Sequence, residues 1–458
     1  MFKKILKVFS TLILLLLGIL FLAYWLVPPL TRSFADTDTL QKKLVTRMLP
    51  SDQPGRIRLD KEQKRIFRML NLRTYLGTAG ETLLELPSLL YRYETIRPRY
   101  RRISPDALGI FVDPAKNDPD RILSALRELG VHSVGLRIYA TPGYLDSAAY
   151  RKDLAFARIL HDKGYHLLLV PAQLFESFRG NLQKIWSRIV KDFAPYADFY
   201  QIGEAVNRSK WGVGTPEHYR AFVDAAFDAI RRYDPTAKTL GPGVIDFEWF
   251  YTLYFDALAD HRFDIQASLL YVDRVRQPEN EQNGFDTEAK IRLFKAIAPD
   301  KPLWITEVNW PLTGTGAYKP TSNKEAVSPD KYRDYMVRYL IIALASGYVD
   351  RVYWWQLFAR GYGLADHLSP RHYPAFGAFA VLEKELTGSI PEGHDLQGGL
   401  YDYRFRKGGT TLHAFWTKDA QSRPLPTGHA YRCRDLNATP LPSIRRAGPT
   451  PIFCEERP

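Results

Sequence analysis

The stretch 107–138 reads ALGIFVDPAKNDPDRILSALRELGVHSVGLRI, and its texture decides the fold class. A short apolar run at 108–112 stops at Asp113-Pro114. Asp118-Pro119 then opens a helical pattern over 121–129, and Gly130 closes it; an acidic cap, an early proline and a terminal glycine are what helix ends favour. A second apolar run follows at 133–138. Together these make one strand, helix, strand unit.

The unit recurs. Apolar runs at 108–112, 133–138, 166–170, 199–202, 239–241, 265–270, 303–306 and 351–356 alternate with helical stretches, among them 332–345, opened by Ser328-Pro329 and followed by Gly347. Eight such units predict an α/β chain with a single (β/α)8 barrel over residues 105–388. A doubly wound open sheet is the runner-up, but it would carry a Gly-rich phosphate loop after the first strand, where Val112-Asp113-Pro114 stands instead. Beyond residue 386 the pattern alternates with period two: 400–406, a Gly408-Gly409 turn, then 412–416. That predicts a hairpin opening a small β-rich region over 389–458.

With 458 residues, 45% hydrophobic and 25% charged, the chain has a globular composition and not that of a disordered one. Its N-terminus reads differently. The run 5–27 is rich in Leu, Ile and Phe and long enough as a helix to cross a hydrocarbon core of about 30 Å. Lys3, Lys4 and Lys7 lie at its start, and Tyr24 and Trp25 mark its far end. The positive-inside rule therefore predicts a transmembrane anchor over residues 1–30, spanning the inner (cytoplasmic) membrane once, with a cytoplasmic N-terminus and a periplasmic or extracellular main domain. A cleaved signal peptide is the alternative, since Ser33-Phe34-Ala35 supplies small residues at a cleavage-like spacing.

Residues 31–104 read as a helical stalk or linker, with Ile66, Phe67 and Leu70 at helical spacing. The net charge of +13 is concentrated in part at Arg92, Arg97, Arg99, Arg101 and Arg102. These are either solvated linker charges or contacts for anionic lipid head groups or an acidic polysaccharide. A location outside the cytoplasm excludes nucleic acid as a partner. Cys433 and Cys454 are the two cysteines, and an oxidising compartment would let them pair, with two free thiols as the alternative. No Cys/His cluster has metal-ligand spacing, so neither a metal nor another cofactor is expected.

In such a barrel, functional residues sit at the C-terminal ends of the strands. Glu204, in Ile202-Gly203-Glu204-Ala205-Val206-Asn207, follows the fourth strand, and Glu307, in Trp304-Ile305-Thr306-Glu307-Val308-Asn309-Trp310, ends the seventh. Two carboxyls across a barrel mouth suit glycosidic bond cleavage, in which one protonates the leaving oxygen and the other acts on the opposite side. The pattern resembles the glycoside hydrolase clan A barrels and is similar to family 39. That resemblance implies a retaining glycosidase with the seventh-strand Glu307 as nucleophile and a fourth-strand acid/base. The family's fourth strand reads Asn-Glu, whereas here Glu204 holds the Asn slot and Ala205 the acid/base slot. Three roles follow for Glu204: proton donor, sugar-hydroxyl ligand or structural residue. The structural alternative for Glu307 is an ion pair with a barrel arginine.

The remaining strand ends supply groups that suit a sugar: Arg137, Tyr139, Gln173, Asn207, Trp211, Tyr271, Asp273, Asn309, Trp310, Trp355 and Gln356. Aromatic faces pack against pyranose rings while amides and guanidiniums satisfy hydroxyls. Tyr271 is placed to donate a hydrogen bond to Glu307, and Glu176 and Asp273 are the substitute acids. Trp354 and Trp355 adjoin on one strand, so one faces the barrel and the other the helices. The expected partner is an oligo- or polysaccharide of the cell envelope or of an export route. A catalytically degenerate glycan-binding barrel beside polysaccharide export machinery and a transglycosylase are the other readings.

Overall fold

The computed structural model describes residues 14–23, 61, 71–208, 211, 213–272, 276–315 and 326–457. Eight parallel strands close into a barrel: β1 (Leu108–Val112), β2 (Ser133–Tyr139), β3 (His166–Ala172), β4 (Phe199–Gln201), β5 (Lys238–Ile245), β6 (Ile265–Leu269), β7 (Leu303–Val308) and β8 (Arg351–Trp354). Each pairs with the next and β8 returns to β1, so the barrel leaves no free edge. All eight expected strands are present. β5 runs on to Ile245, past the expected end at residue 241, and β8 stops at Trp354.

The helix boundaries follow from capping chemistry. Asp118 accepts the Arg121 amide, Pro119 takes the first turn and Gly130 ends the helix at φ 70°. Thr215-Pro216 and Ser328-Pro329 start later helices in the same way.

Packing sorts the strand residues into two sets. Phe111, Leu168, Val170, Leu240, Ala267, Trp304, Tyr353 and Trp355 form a cluster drawn from strands and strand ends without any helix residue, which is the barrel interior. Gly109 is required there, because a Cβ would stand 2.4 Å from the Tyr353 ring. The outer set faces the helices: Trp354 stacks on Trp310 and donates through Nε1 to the Tyr332 hydroxyl at 2.8 Å. Trp355 is therefore the inward member of the pair.

A six-stranded antiparallel sheet follows the barrel, in the spatial order Pro440–Leu441, Tyr431–Arg434, Ile452–Glu456, Thr410–Thr417, Leu400–Lys407 and Ile390–Gln397. Cys433 and Cys454 face each other across two of these strands and are joined by a disulfide. The sheet is tied to the barrel by Trp416, whose Nε1 donates to Glu279 at 2.7 Å, and Glu279 in turn pairs with Arg338 of the helix Pro329–Ala345.

Ahead of the barrel, the helix Leu72–Thr95 packs on the helices Trp249–Leu258 and Thr287–Ile297 through Thr74, Thr78 and Leu89. Of the apolar run 5–27, only 14–23 falls among the described residues. It is helical, and no helix among the described residues is long and apolar enough to cross a membrane. The rest of that run and the helical pattern at 62–70 lie outside the described residues.

Candidate active site

Glu307 faces the barrel mouth because β7 is irregular. Ile305 pairs with Val352 and Val308 with Trp354, so β7 uses one more residue than β8 over the same span. Ile305 and Val308 both belong to the outer core. The extra residue between them lets Glu307 turn inward, which regular alternation would forbid.

Glu204 is re-aimed by a different device. β4 alternates normally, with Phe199 packed on the interior cluster and Tyr200 in the outer core. Gly203 then takes φ 94° and Ala205 φ 46°, so the chain curls beyond the strand end and Glu204 swings over the mouth. Gln173, at the end of β3, holds that curl: its Nε2 donates to the Glu204 carbonyl at 2.6 Å, and its Oε1 accepts the Glu204 amide at 2.9 Å.

The two carboxyls meet at one guanidinium. Arg137 Nη2 contacts Glu204 Oε1 at 2.5 Å and also Glu307 Oε2. Two oxygens in hydrogen-bond contact with the same nitrogen lie at most about 6 Å apart. The Tyr271 hydroxyl donates to the second oxygen of Glu307, and Gln201 Nε2 donates to the second oxygen of Glu204 at 2.9 Å. Trp355 lies 3.7 Å from the Arg137 guanidinium and Trp211 5.7 Å from it, so two indole rings face the cation. The set is almost sealed, with Glu204 at 2% and Glu307 at 4% exposure.

Burial pushes the Glu204 carboxyl well above the usual carboxylate range. The Arg137 guanidinium opposes that shift, and the neighbouring Glu307 adds to it. Arg137 is held above its ordinary value because Glu204 and Glu307 outweigh the burial that disfavours its charge. Burial also raises the Tyr139 hydroxyl.

Beside Arg137 lies a cavity of about 240 Å³, lined by Asp113, Lys116, Arg137, Tyr139, Tyr144, Trp355 and Gln356 among others. Of the expected site residues, Arg137, Tyr139, Trp355 and Gln356 meet there, while Gln173, Tyr271 and Trp211 support the carboxyl pair. Three others are used elsewhere. Asn207 bonds the backbone of Ile245 and the Glu248 side chain. Asn309 Nδ2 donates to the Trp355 carbonyl. Trp310 is fully buried among Tyr335, Tyr339 and Trp354, its Nε1 on the Arg276 carbonyl at 3.1 Å. Alternation past the β7 irregularity sends Trp310 into the helix layer. Glu176 is exposed, and Asp273 lies outside the described residues.

Sequence reading missed Gln201, Asp113, Lys116 and Tyr144. Gln201 had a signal, since it shares the inward parity of Phe199 on β4. Asp113 and Lys116 sit on the loop after β1, a position that faces the mouth in any such barrel.

No protein-family model matches the chain, and no curated protein matches it. Solved structures match in fold. A family 39 glycoside hydrolase from Bacteroides cellulosilyticus aligns with a TM-score of 0.62 at 14% identity, over 78% of this chain and 81% of that one. A family 30 endoxylanase from Clostridium papyrosolvens aligns with a TM-score of 0.55 at 12% identity, over 79% and 98%. A family 51 α-L-arabinofuranosidase from Bifidobacterium longum gives 0.53 at 13%, over 79% and 98%. The chain shares the barrel fold of these glycoside hydrolases.

Proposed function

We propose that the protein is a membrane-anchored glycoside hydrolase of the retaining type, acting on a cell-envelope or exported polysaccharide, with Glu307 as nucleophile and Glu204 as acid/base. The observation that carries this reading is the contact of both carboxyls with Arg137 Nη2. Retaining enzymes separate their carboxyls by about 5 Å and inverting ones by about 6.5 Å or more, and a shared nitrogen favours the shorter class.

The environment of each carboxyl supports these roles. Glu307 accepts hydrogen bonds from Arg137 and Tyr271, which stabilise the anion that attacks the anomeric carbon. Burial, with the adjacent Glu307 adding to it and the Arg137 guanidinium opposing it, raises the hold of Glu204 on its proton, the form needed to protonate the departing glycosidic oxygen. In the second half-reaction Glu204, now a carboxylate, takes a proton from water as that water displaces the sugar from Glu307. A sugar acceptor in place of water would make the same reaction a transfer. The anchored part of the reading is supported by the apolar run 5–27 and by the exposed Leu14, Leu15, Phe21 and Leu22 on its described portion.

A mechanism-based trap tests the assignment. The full chain in detergent, incubated with 2-deoxy-2-fluoro xylosyl, glucosyl and arabinofuranosyl fluorides, is expected to gain one sugar mass on the peptide carrying Glu307, and Glu307→Gln is expected to gain none. Hydrolysis of envelope glycan that persists in Glu307→Gln would remove Glu307 from the mechanism.

One observation favours a second reading, a glycan-binding barrel assisting polysaccharide export. The cavity is lined by Arg137, Lys116 and aromatic side chains and not by the two glutamates. Oligosaccharide binding with no release of reducing ends, unchanged in Glu307→Gln, would select it.

A further inference from the structure

We infer that the outer stripe of the helix Leu72–Thr95 and the arginine strip after it form a contact surface for an anionic lipid bilayer. This rests on the anchored reading proposed above. The helix has two faces. Thr74, Thr78 and Leu89 are buried against the barrel helices, so that face is committed to packing. Leu84, Pro87, Ser88 and Tyr91 follow the i, i+3, i+4, i+7 spacing of one stripe on the other side. Leu84 is 59% exposed and Tyr91 71%, with Leu90 beside them at 53%. An exposed, apolar and tyrosine-bearing stripe that no described residue covers is the surface an interfacial helix presents to a bilayer.

The charge beyond the helix has the matching sign. From 92 to 102 the chain carries five arginines and a single acid, Glu94. Arg97, Arg99, Arg101 and Arg102 are exposed, and Tyr100, 44% exposed, lies among them. The bonds they do make leave their charge largely available. Arg97 donates to the carbonyls of Glu94 and Ile96, Arg102 to the Gly388 carbonyl, and Arg101 stands 3.9 Å from Asp350 with both groups well exposed. Four cations beside an exposed apolar stripe suit lipid phosphates better than a solvated linker.

Topology places the arginine strip. The Arg99 amide bonds Gly347, Ile103 exchanges backbone bonds with Gly388 and Ser389, and Asp350 directly precedes β8. The strip therefore crosses the N-terminal end of the barrel, opposite the mouth that holds Glu204 and Glu307. The apolar run 5–27 lies upstream of this surface in the same chain, so tethering raises its effective concentration at the bilayer and a weak contact suffices.

The test uses the full chain carrying Tyr91→Cys or, as a control at the mouth, Leu368→Cys, which is 51% exposed on the loop after β8. The two native cysteines are joined to each other, so the new thiol takes an environment-sensitive fluorophore selectively. Vesicles of phosphatidylcholine, with or without phosphatidylglycerol, contain brominated chains as quenchers, and flotation reports insertion. The expected result is flotation with both lipids, quenching at residue 91 at least about threefold stronger with phosphatidylglycerol, loss of that increment when Arg97, Arg99, Arg101 and Arg102 are all changed to Ala, and none at residue 368. Flotation without quenching at residue 91, equal quenching in both lipids, or quenching at residue 368 overturns the surface and leaves the anchor standing. Failure to float overturns the anchored reading and this surface with it. Capture of soluble polygalacturonate by the arginine strip, with residue 91 unquenched, assigns the strip to glycan and also overturns the proposal.

Discussion

Gln173 and Glu204 are joined by two hydrogen bonds running in opposite directions, side-chain amide to backbone carbonyl at 2.6 Å and backbone amide to side-chain carbonyl oxygen at 2.9 Å. The amide of one residue thus imitates a strand neighbour for the other, at the place where the β4 ladder has ended and Gly203 and Ala205 curl the chain. Replacing Gln173 with Leu strands a buried N–H and C=O, each costing about 1–3 kcal/mol. The expected outcome is a destabilisation of about 2–4 kcal/mol in urea melts, together with a fall in kcat larger than any rise in KM, because Glu204 loses its position and not its chemistry. A fall in KM-linked binding alone would show that Gln173 serves the ligand instead.

Glu204 holds its proton above the usual carboxylate range because it is buried beside Glu307. Hydrolysis should therefore decline on the alkaline side as that proton leaves. Glu204→Gln is expected to lose about 10²–10⁴-fold in rate on natural glycan and far less on aryl glycosides whose leaving groups need no proton. Equal losses on both substrates would take the acid role from Glu204.

Asp153 is 1% exposed, accepts the Tyr144 hydroxyl under the cavity wall, and has its carboxyl pushed up to about 7 by burial from an ordinary value of 3.8. Between those values the folded chain holds a proton that the unfolded chain has released, so stability falls as pH rises through that window. Below it both states carry the proton, and above it neither does. Asp153→Asn should flatten this slope, removing a few kcal/mol of pH dependence measured by urea midpoints at the two ends of the window. An unchanged slope would place the titration elsewhere.

The disulfide between Cys433 and Cys454 spans a sequence separation of 21 residues within the C-terminal sheet. Closing a loop of that size restricts the unfolded chain by about 3 kcal/mol. The double variant Cys433→Ser, Cys454→Ser should melt earlier, with the loss concentrated in hydrogen-exchange protection of the strands Tyr431–Arg434 and Ile452–Glu456 while the barrel strands stay protected.

Ala205 is 1% exposed and packs with Trp211, Leu269 and Tyr271. Ala205→Glu would put a second carboxyl into that apolar contact, so it is expected to lower stability by several kcal/mol and to leave activity no higher. A gain in hydrolysis would mean that this slot accepts the proton donor after all.

The strand and helix order was legible from the chain because it depends on local properties: apolar period, helix caps and turn residues act over a few positions. The eight strands, the inward turn of one tryptophan in the Trp354-Trp355 pair and the candidacy of Glu307 follow from such patterns read against one topology, whereas the Cys433 to Cys454 pairing was decided by two strands brought side by side. Parity counted along a regular strand separates the Trp354-Trp355 pair into one inward and one outward ring, and it was the unread signal for Gln201 on β4. It could not place Glu307, Glu204 or Trp310, because each lies past a point where the backbone departs from alternation. The extra residue in β7 shows only in its register against β8, and the curl at Gly203 and Ala205 is held by Gln173 from another strand. The meeting of Arg137 with both glutamates is likewise a contact across 67 and 170 residues of sequence. Side-chain type and local spacing supplied the ingredients; the direction in which each carboxyl points was settled by long-range pairing, since a single-residue slip in a strand reverses which face a side chain occupies.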